Sequence, residues 1–138
     1  MYNTDDEITH IAEGMRDSTL PKDEWTHAAH IAMAVWLLDR HGHAAAEIMP
    51  GLIRTYNVSV GGQNTDSEGY HHTITLASLR SIAAHMGKGS IAQRTNALLS
   101  QGFDRPDWLF QHYSKDRLFS VEARRGWVEP DLAPLPKG

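Results

Sequence analysis

Two histidines three residues apart, His27 and His30, open the most hydrophobic stretch of the chain. Between residues 28 and 38, His30 is the only residue that is not apolar. A helix that is apolar on nearly all sides lies inside a bundle, and an imidazole buried there needs a partner because an unpaired polar group is costly. Residues three apart share one helix face, so the two rings can converge on a metal, a ligand or a carboxylate.

A second pair, His71 and His72, follows the clearest loop in the sequence, at residues 58–64. Between the loop and the pair, the segment from Thr65 to Glu68 has the capping-box pattern that opens a helix. In an up-and-down bundle with short loops, helices two apart in the sequence run in the same direction. The sequence therefore predicts that the two histidine pairs meet at one end of the bundle.

Three imidazoles with one open position are a known arrangement for catalytic zinc, and imidazole also suits iron, copper and nickel. We therefore expect one divalent transition metal bound by His27, His30 and His71. His72 is the reserve ligand, because both adjacent histidines flank the apolar arc of a helix whose wet side is marked by Thr73. Such a centre predicts a small metalloenzyme of the hydrolase or oxygenase type, acting through metal-bound water or dioxygen.

Three further side chains are candidates for catalytic roles beside this metal. Glu24, Glu68 and Tyr70 lie within a few residues of the histidines and can serve as general base, as a further ligand or as orienting groups. The segments Glu24-x-x-His27 and Glu68-x-x-His71 also match half of a di-iron carboxylate site. That pattern is weak, because no other helix convincingly supplies the two remaining glutamates.

Two hypotheses without a metal remain open. In the first, the histidines and tyrosines line the pocket of a non-catalytic module that binds a small polar or anionic molecule, since two helix N-termini at one place favour an anion. In the second, the chain is a structural or interaction protein whose core histidines bond to backbone carbonyls or carboxylates. A nucleophilic triad is poorly supported, because the sequence has no Gly-x-Ser-x-Gly elbow and no cysteine.

No window of the sequence alternates apolar and polar residues as a strand does, so we expect an all-α single-domain bundle over residues 1–138. Five or six helices are predicted, followed by an extended proline-rich tail that begins near residue 127 and packs on the bundle. The expected helices run from Asp5 to Met15, from Pro21 to His41, from His43 to about Tyr56 with Pro50 as a kink or a split, from Thr65 to Met86, from Ser90 to Gln101, and over a short stretch between Asp104 and Tyr113.

Composition and charge limit the classes of partner. The 138 residues carry a net charge of −4 without a basic run, which argues against nucleic acid and an anionic membrane surface. The longest apolar run is too short to span a bilayer. The absence of cysteine excludes disulfides and fits a reducing cytoplasm. A bundle this small with four tryptophans is compatible with a homodimer, although no pattern fixes the oligomeric state.

Three segments together resemble a family of small bacterial all-helical proteins without an established function. They are EWTHAAHIAMAVWLL, TYNVSVGGQNTDSEGYHHTIT and YSKDRLFSVEARRGWVEPDLAPLP. The shared features are an aromatic-Thr-His-x-x-His start to a hydrophobic helix, a Gly-Tyr-His-x-Thr motif and a closing Trp-Val-Glu-Pro-Asp segment. Carried onto this chain, the resemblance selects His27, His30, Tyr70 and His71, and it favours His71 over His72. It implies no reaction.

Overall fold

The computed structural model describes residues 1–136, and within that range it contains helices and no strand. The all-α prediction is therefore confirmed. The α-helices are α1 (Asp5–Asp17), α2 (His27–His41), α3 (Ala45–Ser59), α4 (His72–His85), α5 (Ile91–Leu98), α6 (Lys115–Leu118) and α7 (Val121–Arg125). Of the helices between residues 1 and 136, none is both long and apolar enough to cross a membrane.

Helix α2 is the centre of the bundle. Every residue from Ile31 to Leu37 is buried, and the helix packs against α1, α3, α4 and α5. Contact on all of its sides explains why this stretch of sequence shows no polar face. The central position also means that whatever the first turn of α2 carries is presented at one end of the core.

The sequence pattern predicts that helix α2 begins near Pro21, but the helix begins at His27. Thr26 is extended, and its Oγ1 accepts a hydrogen bond from Ala29 N at 3.1 Å, which is the bond of an N-cap. Residues 22–24 form a separate 3₁₀ turn. The threonine cap therefore sets the start of the helix, and His27 is its first residue.

Helix α3 runs through Pro50 without a split. A proline inside a helix removes one backbone donor and crowds the preceding turn, which is why a kink or a split is expected there. In this helix the proline is buried against the core. The helix continues past it to Ser59.

Helix α4 begins at His72, later than the capping-box pattern predicts. Thr65 Oγ1 accepts from Glu68 N at 3.2 Å, and Thr65 N donates to Glu68 O at 2.9 Å. These bonds close a turn inside the loop. The turn does not propagate into a helix because Gly69 follows with a φ of +80°.

The chain after α5 differs most from the prediction. Residues 99–103 form a π-helical segment in which Gly102 has a φ of +110°, and residues 106–111 form a 3₁₀ helix where a short α-helix is expected. Helices α6 and α7 are missing from the prediction because each is too short to show a hydrophobic period. Ser114 and Ser120 cap them.

The chain from residue 127 to residue 136 forms no helix and lies against the second half of the bundle. Tyr113 is fully buried, and its hydroxyl donates to Val128 O at 2.7 Å. Leu135 is buried in the same apolar cluster as Tyr113. The last two residues of the predicted tail, 137 and 138, lie outside the described residues.

Candidate functional site

A cavity of about 520 Å³ lies where the start of α2, the second half of α3 and the loop 60–71 meet the start of α4. His30 and His71 both line it, so the structure brings one histidine of each pair to the same space. His27 and His72 are not part of its lining. Other side chains that shape the cavity are Lys22, Trp25, Ile53, Asn57, Glu68, Tyr70, Ile74 and Thr75.

His30 is held by a backbone carbonyl and by an aromatic ring. Its Nδ1 lies 2.8 Å from Thr26 O, and because a carbonyl only accepts, Nδ1 is assigned the proton. The imidazole stacks on Trp25 with a centroid distance of 3.8 Å and an interplanar angle of 26°. Its Nε2 makes no hydrogen bond within residues 1–136. One tautomer of His30 is therefore fixed, with a lone pair on Nε2.

Burial lowers the pKa of His30 to about 4. Desolvation of the charged form is the main cause; the bond to Thr26 O raises the pKa and the nearby His27 lowers it, both by less. At neutral pH the imidazole is therefore uncharged. Its Nε2 can accept a hydrogen bond from an N–H or O–H group or coordinate a metal ion.

His71 is the N-cap of α4. Its Nδ1 accepts from Ile74 N at 3.1 Å, and its Nε2 donates to Leu118 O at 2.6 Å. Burial lowers the pKa of His71 below the ordinary histidine value, so the ring is neutral at neutral pH. Nδ1 thus caps α4, and Nε2 joins the start of α4 to the end of α6. His71 therefore lines the cavity, but neither of its ring nitrogens has a free lone pair for a ligand or a metal ion.

The other two histidines contact different partners. His27 Nε2 lies 2.7 Å from Phe103 O and donates to the π-helical segment. His72 Nδ1 lies 2.8 Å from the Tyr70 hydroxyl, and burial lowers the pKa of His72. Each pair thus places one histidine in the cavity lining; of the other two, His27 bonds to the π-helical segment and His72 bonds to the lining residue Tyr70.

The three-histidine metal centre predicted from the sequence is not assembled in this structure. Within residues 1–136, no group of three His, Cys, Asp or Glu side chains is arranged to hold one metal ion. Hydrogen bonding is the physical reason, because His27 gives Nε2 to a carbonyl and His71 uses both nitrogens. Of the predicted ligands, only His30 keeps an unbonded nitrogen beside the cavity. The two Glu-x-x-His segments are not brought together either, because Glu68 and His71 line the cavity whereas Glu24 and His27 do not.

The three predicted catalytic side chains are also separated. Glu24 lies 3.0 Å from His10 Nε2 on the exposed surface and does not line the cavity. Glu68 and Tyr70 do line it, and Glu68 is the one carboxylate of its described lining. Burial raises the pKa of Tyr70, so the hydroxyl keeps its proton and bonds to His72.

One asparagine organises the loop that covers the cavity. Asn64 Nδ2 donates to Arg54 O at 3.0 Å, and its Oδ1 accepts from Asn57 Nδ2 and from Tyr70 N, each at 3.0 Å. The Arg54 guanidinium in turn lies 4.3 Å from the centroid of the Tyr70 ring. The sequence does not mark three other lining residues as part of a site, because residues of these types are equally common in helix cores and in exposed turns. They are Lys22, Ile53 and Thr75.

Gly69 is required where the loop turns towards α4. Its φ is +80°, and a Cβ there would collide with Gln63 O and with Asn64. We expect Gly69→Ala to lower the free energy of unfolding by about 1–3 kcal/mol, through strain and displacement of the loop. Urea denaturation measures this loss. Gly51→Ala is the matched control: Gly51 lies inside α3 with open space around it, so alanine there should stabilise by about 0.5–1 kcal/mol. Equal effects of the two substitutions would contradict the strain argument.

Helix α7 holds the same loop from outside. Arg125 makes a two-pronged ion pair with Asp66, at 2.7 and 2.6 Å, and Arg124 donates to Gly69 O at 3.1 Å. The C-terminal quarter of the chain is therefore part of the scaffold of the cavity.

The chain matches no protein-family model, no curated protein and no solved structure. The cavity and its chemistry are therefore the basis for a functional proposal.

Proposed function

We propose that the protein binds a small organic molecule in the cavity beside His30, and that the molecule donates a hydrogen bond to His30 Nε2. The observation that carries the proposal is the bond between His30 Nδ1 and Thr26 O at 2.8 Å. It fixes the tautomer and leaves an acceptor at the cavity wall. Within residues 1–136 His30 is half-buried, and its Nε2 is not one of the fully buried side-chain atoms without a partner, so water reaches it in the unliganded protein. A ligand with an N–H or O–H group replaces that water and gains a hydrogen bond of about 0.5–1.5 kcal/mol net.

The walls favour a ligand that is mostly apolar and planar. Trp25, Tyr70, Ile53 and Ile74 contribute aromatic and aliphatic surface, and a volume of about 520 Å³ suits a small molecule. The neutral ring of His30 presents a lone pair, which disfavours an anion as the group that meets it, and Lys22 and Glu68 add one charge of each sign to the lining. The ligand class is therefore an uncharged ring compound with one donor, such as a phenol or an indole.

Phenol and anisole test this assignment, because they differ in whether the oxygen carries a proton. We expect the protein to bind phenol about fivefold more tightly than anisole, which corresponds to one hydrogen bond of ordinary net strength. Titrations followed by ¹H–¹⁵N chemical shifts measure both affinities and locate the site. In His30→Leu, the preference for phenol should vanish because the acceptor is gone.

Two controls accompany this titration. His41→Leu removes an exposed histidine at the other end of the same helix and should keep the preference for phenol. Addition of a chelator should leave phenol binding unchanged. A preference for phenol that survives in His30→Leu contradicts the proposal. The transition metal predicted from the sequence stays a separate prediction: stoichiometric zinc, iron, copper or nickel in untagged protein, lost in His30→Leu, would support it.

A further inference from the structure

A second cavity, of about 570 Å³, lies between the second half of α4, the π-helical segment and the 3₁₀ helix at residues 106–111. It shares no lining residue with the cavity beside His30. One of its walls is the π-helical segment with Gly102 at a φ of +110°.

A buried hydroxyl without a partner lines this second cavity. Ser81 is 1% exposed, and within residues 1–136 its Oγ makes no hydrogen bond. Serine in a helix ordinarily bonds to a preceding backbone carbonyl or points into water, and Ser81 does neither. A buried polar group left in this state costs free energy, which a polar atom in the cavity recovers.

Two imidazoles beside Ser81 have fixed tautomers. His85 Nδ1 lies 2.7 Å from Ser81 O, and His112 Nδ1 lies 3.1 Å from Pro134 O. Because carbonyls only accept, Nδ1 of each ring is assigned a proton, and Nε2 of each ring makes no hydrogen bond within residues 1–136. The rings of Phe103 and Trp108, with centroids 4.9 Å apart, form an aromatic wall between them.

The lining also contains two opposite charges that are not paired. Arg105 and Asp107 both line the cavity, and neither takes part in an ion pair within residues 1–136, with each other or with another side chain. They flank Pro106, the first residue of the 3₁₀ helix. One cavity thus offers a cation and an anion that are more than a salt-bridge distance apart.

We propose that this second cavity binds a small zwitterion of the amino-acid class with an aromatic or apolar side chain. Arg105 pairs with the carboxylate of the ligand, and Asp107 pairs with its ammonium group. The apolar side chain lies against Phe103 and Trp108, and Ser81 Oγ bonds to a polar atom of the ligand. The site is independent of the function proposed for the cavity beside His30.

Three related probes separate the two charges: L-phenylalanine carries both, phenylacetate only the carboxylate, and phenethylamine only the ammonium. Titrations followed by ¹H–¹⁵N shifts at Ser81 and Gly102 should show tightest binding of L-phenylalanine. Because Arg105 is exposed, Arg105→Gln should weaken L-phenylalanine and phenylacetate about threefold and leave phenethylamine unchanged. Asp107→Asn should weaken L-phenylalanine and phenethylamine to the same degree and leave phenylacetate unchanged.

Two further variants complete the experiment. Arg80→Gln removes a charge from α4 that does not line the cavity and should leave all three affinities unchanged. Ser81→Ala should weaken L-phenylalanine several-fold while the unliganded protein unfolds at the same or a higher urea concentration, because the hydroxyl it loses is unpaired. Absence of saturable shifts at millimolar L-phenylalanine, or equal affinity for the three probes, overturns the proposal.

Discussion

Replacement of His71 by leucine should lower the free energy of unfolding by about 2–4 kcal/mol. Two losses add. The N-cap bond to Ile74 N is worth about 1 kcal/mol. Loss of the bond to Leu118 O leaves that buried carbonyl without a partner, which costs about 1–3 kcal/mol. Urea denaturation followed by circular dichroism measures the change. Such a loss is a large fraction of the stability of a small domain.

Three comparisons make the His71 result specific. His71→Asn should lose about half as much, because asparagine caps helices but is too short to replace the bond to Leu118 O. His41→Leu, at an exposed position, should change stability by less than about 0.5 kcal/mol. A structural role predicts the same loss with chelator or with added zinc. If chelator alone destabilises the parent protein as much as His71→Leu does, the residue is a metal ligand and the structural account is wrong.

Acid should destabilise the protein through His30. Its pKa is about 4 in the folded chain and 6.5 ordinarily, so between these values the unfolded chain binds a proton that the folded chain does not. The stability that this difference confers is complete above the ordinary pKa and is lost as pH falls towards 4. Between about pH 7 and about pH 4.5 the loss from this residue alone amounts to roughly 2 kcal/mol.

The variant His30→Leu isolates this loss from other titrating groups. Carboxylates with lowered pKa values, such as Asp66 and Asp131, and the buried His71 titrate in both proteins. We therefore expect the stability difference between parent and variant to shift by about 2 kcal/mol in favour of the variant on acidification. Urea denaturation at several pH values measures it. Parallel pH profiles would show that His30 keeps an ordinary pKa in the folded protein.

The helical class and the central place of α2 follow directly from the sequence, because an apolar run without a wet face has few other interpretations. The residues that usually mark the start or end of a helix are a less reliable guide. Thr65 and Glu68 carry the capping-box pattern yet form only a turn, because Gly69 ends it. His71 caps α4 instead, and histidine is not among the residues that usually do so. The two shortest helices, α6 and α7, leave no periodic signal at all.

The candidate site shows a similar division. The sequence points to buried histidines that need partners, and each of His27, His30 and His71 has one. It cannot show that those partners are distant carbonyls, since Phe103 and Leu118 come close only in the folded chain. Thr73 illustrates the same limit: its polarity suggests a wet side of α4, but it is fully buried and donates to Gly126 O at 2.7 Å.

Because the middle of helix α2, from Ile31 to Leu37, is enclosed by four other helices, its backbone amides exchange hydrogen with water only when the bundle opens. Partial unfolding confined to the loop 60–71 or to the chain after residue 127 leaves the four helices around α2 in place. A protease then gains access to the middle of the chain in proportion to the globally unfolded fraction. Occupancy of a cavity in the folded state reduces that fraction by mass action, so a bound ligand would lengthen the cellular lifetime of the entire polypeptide.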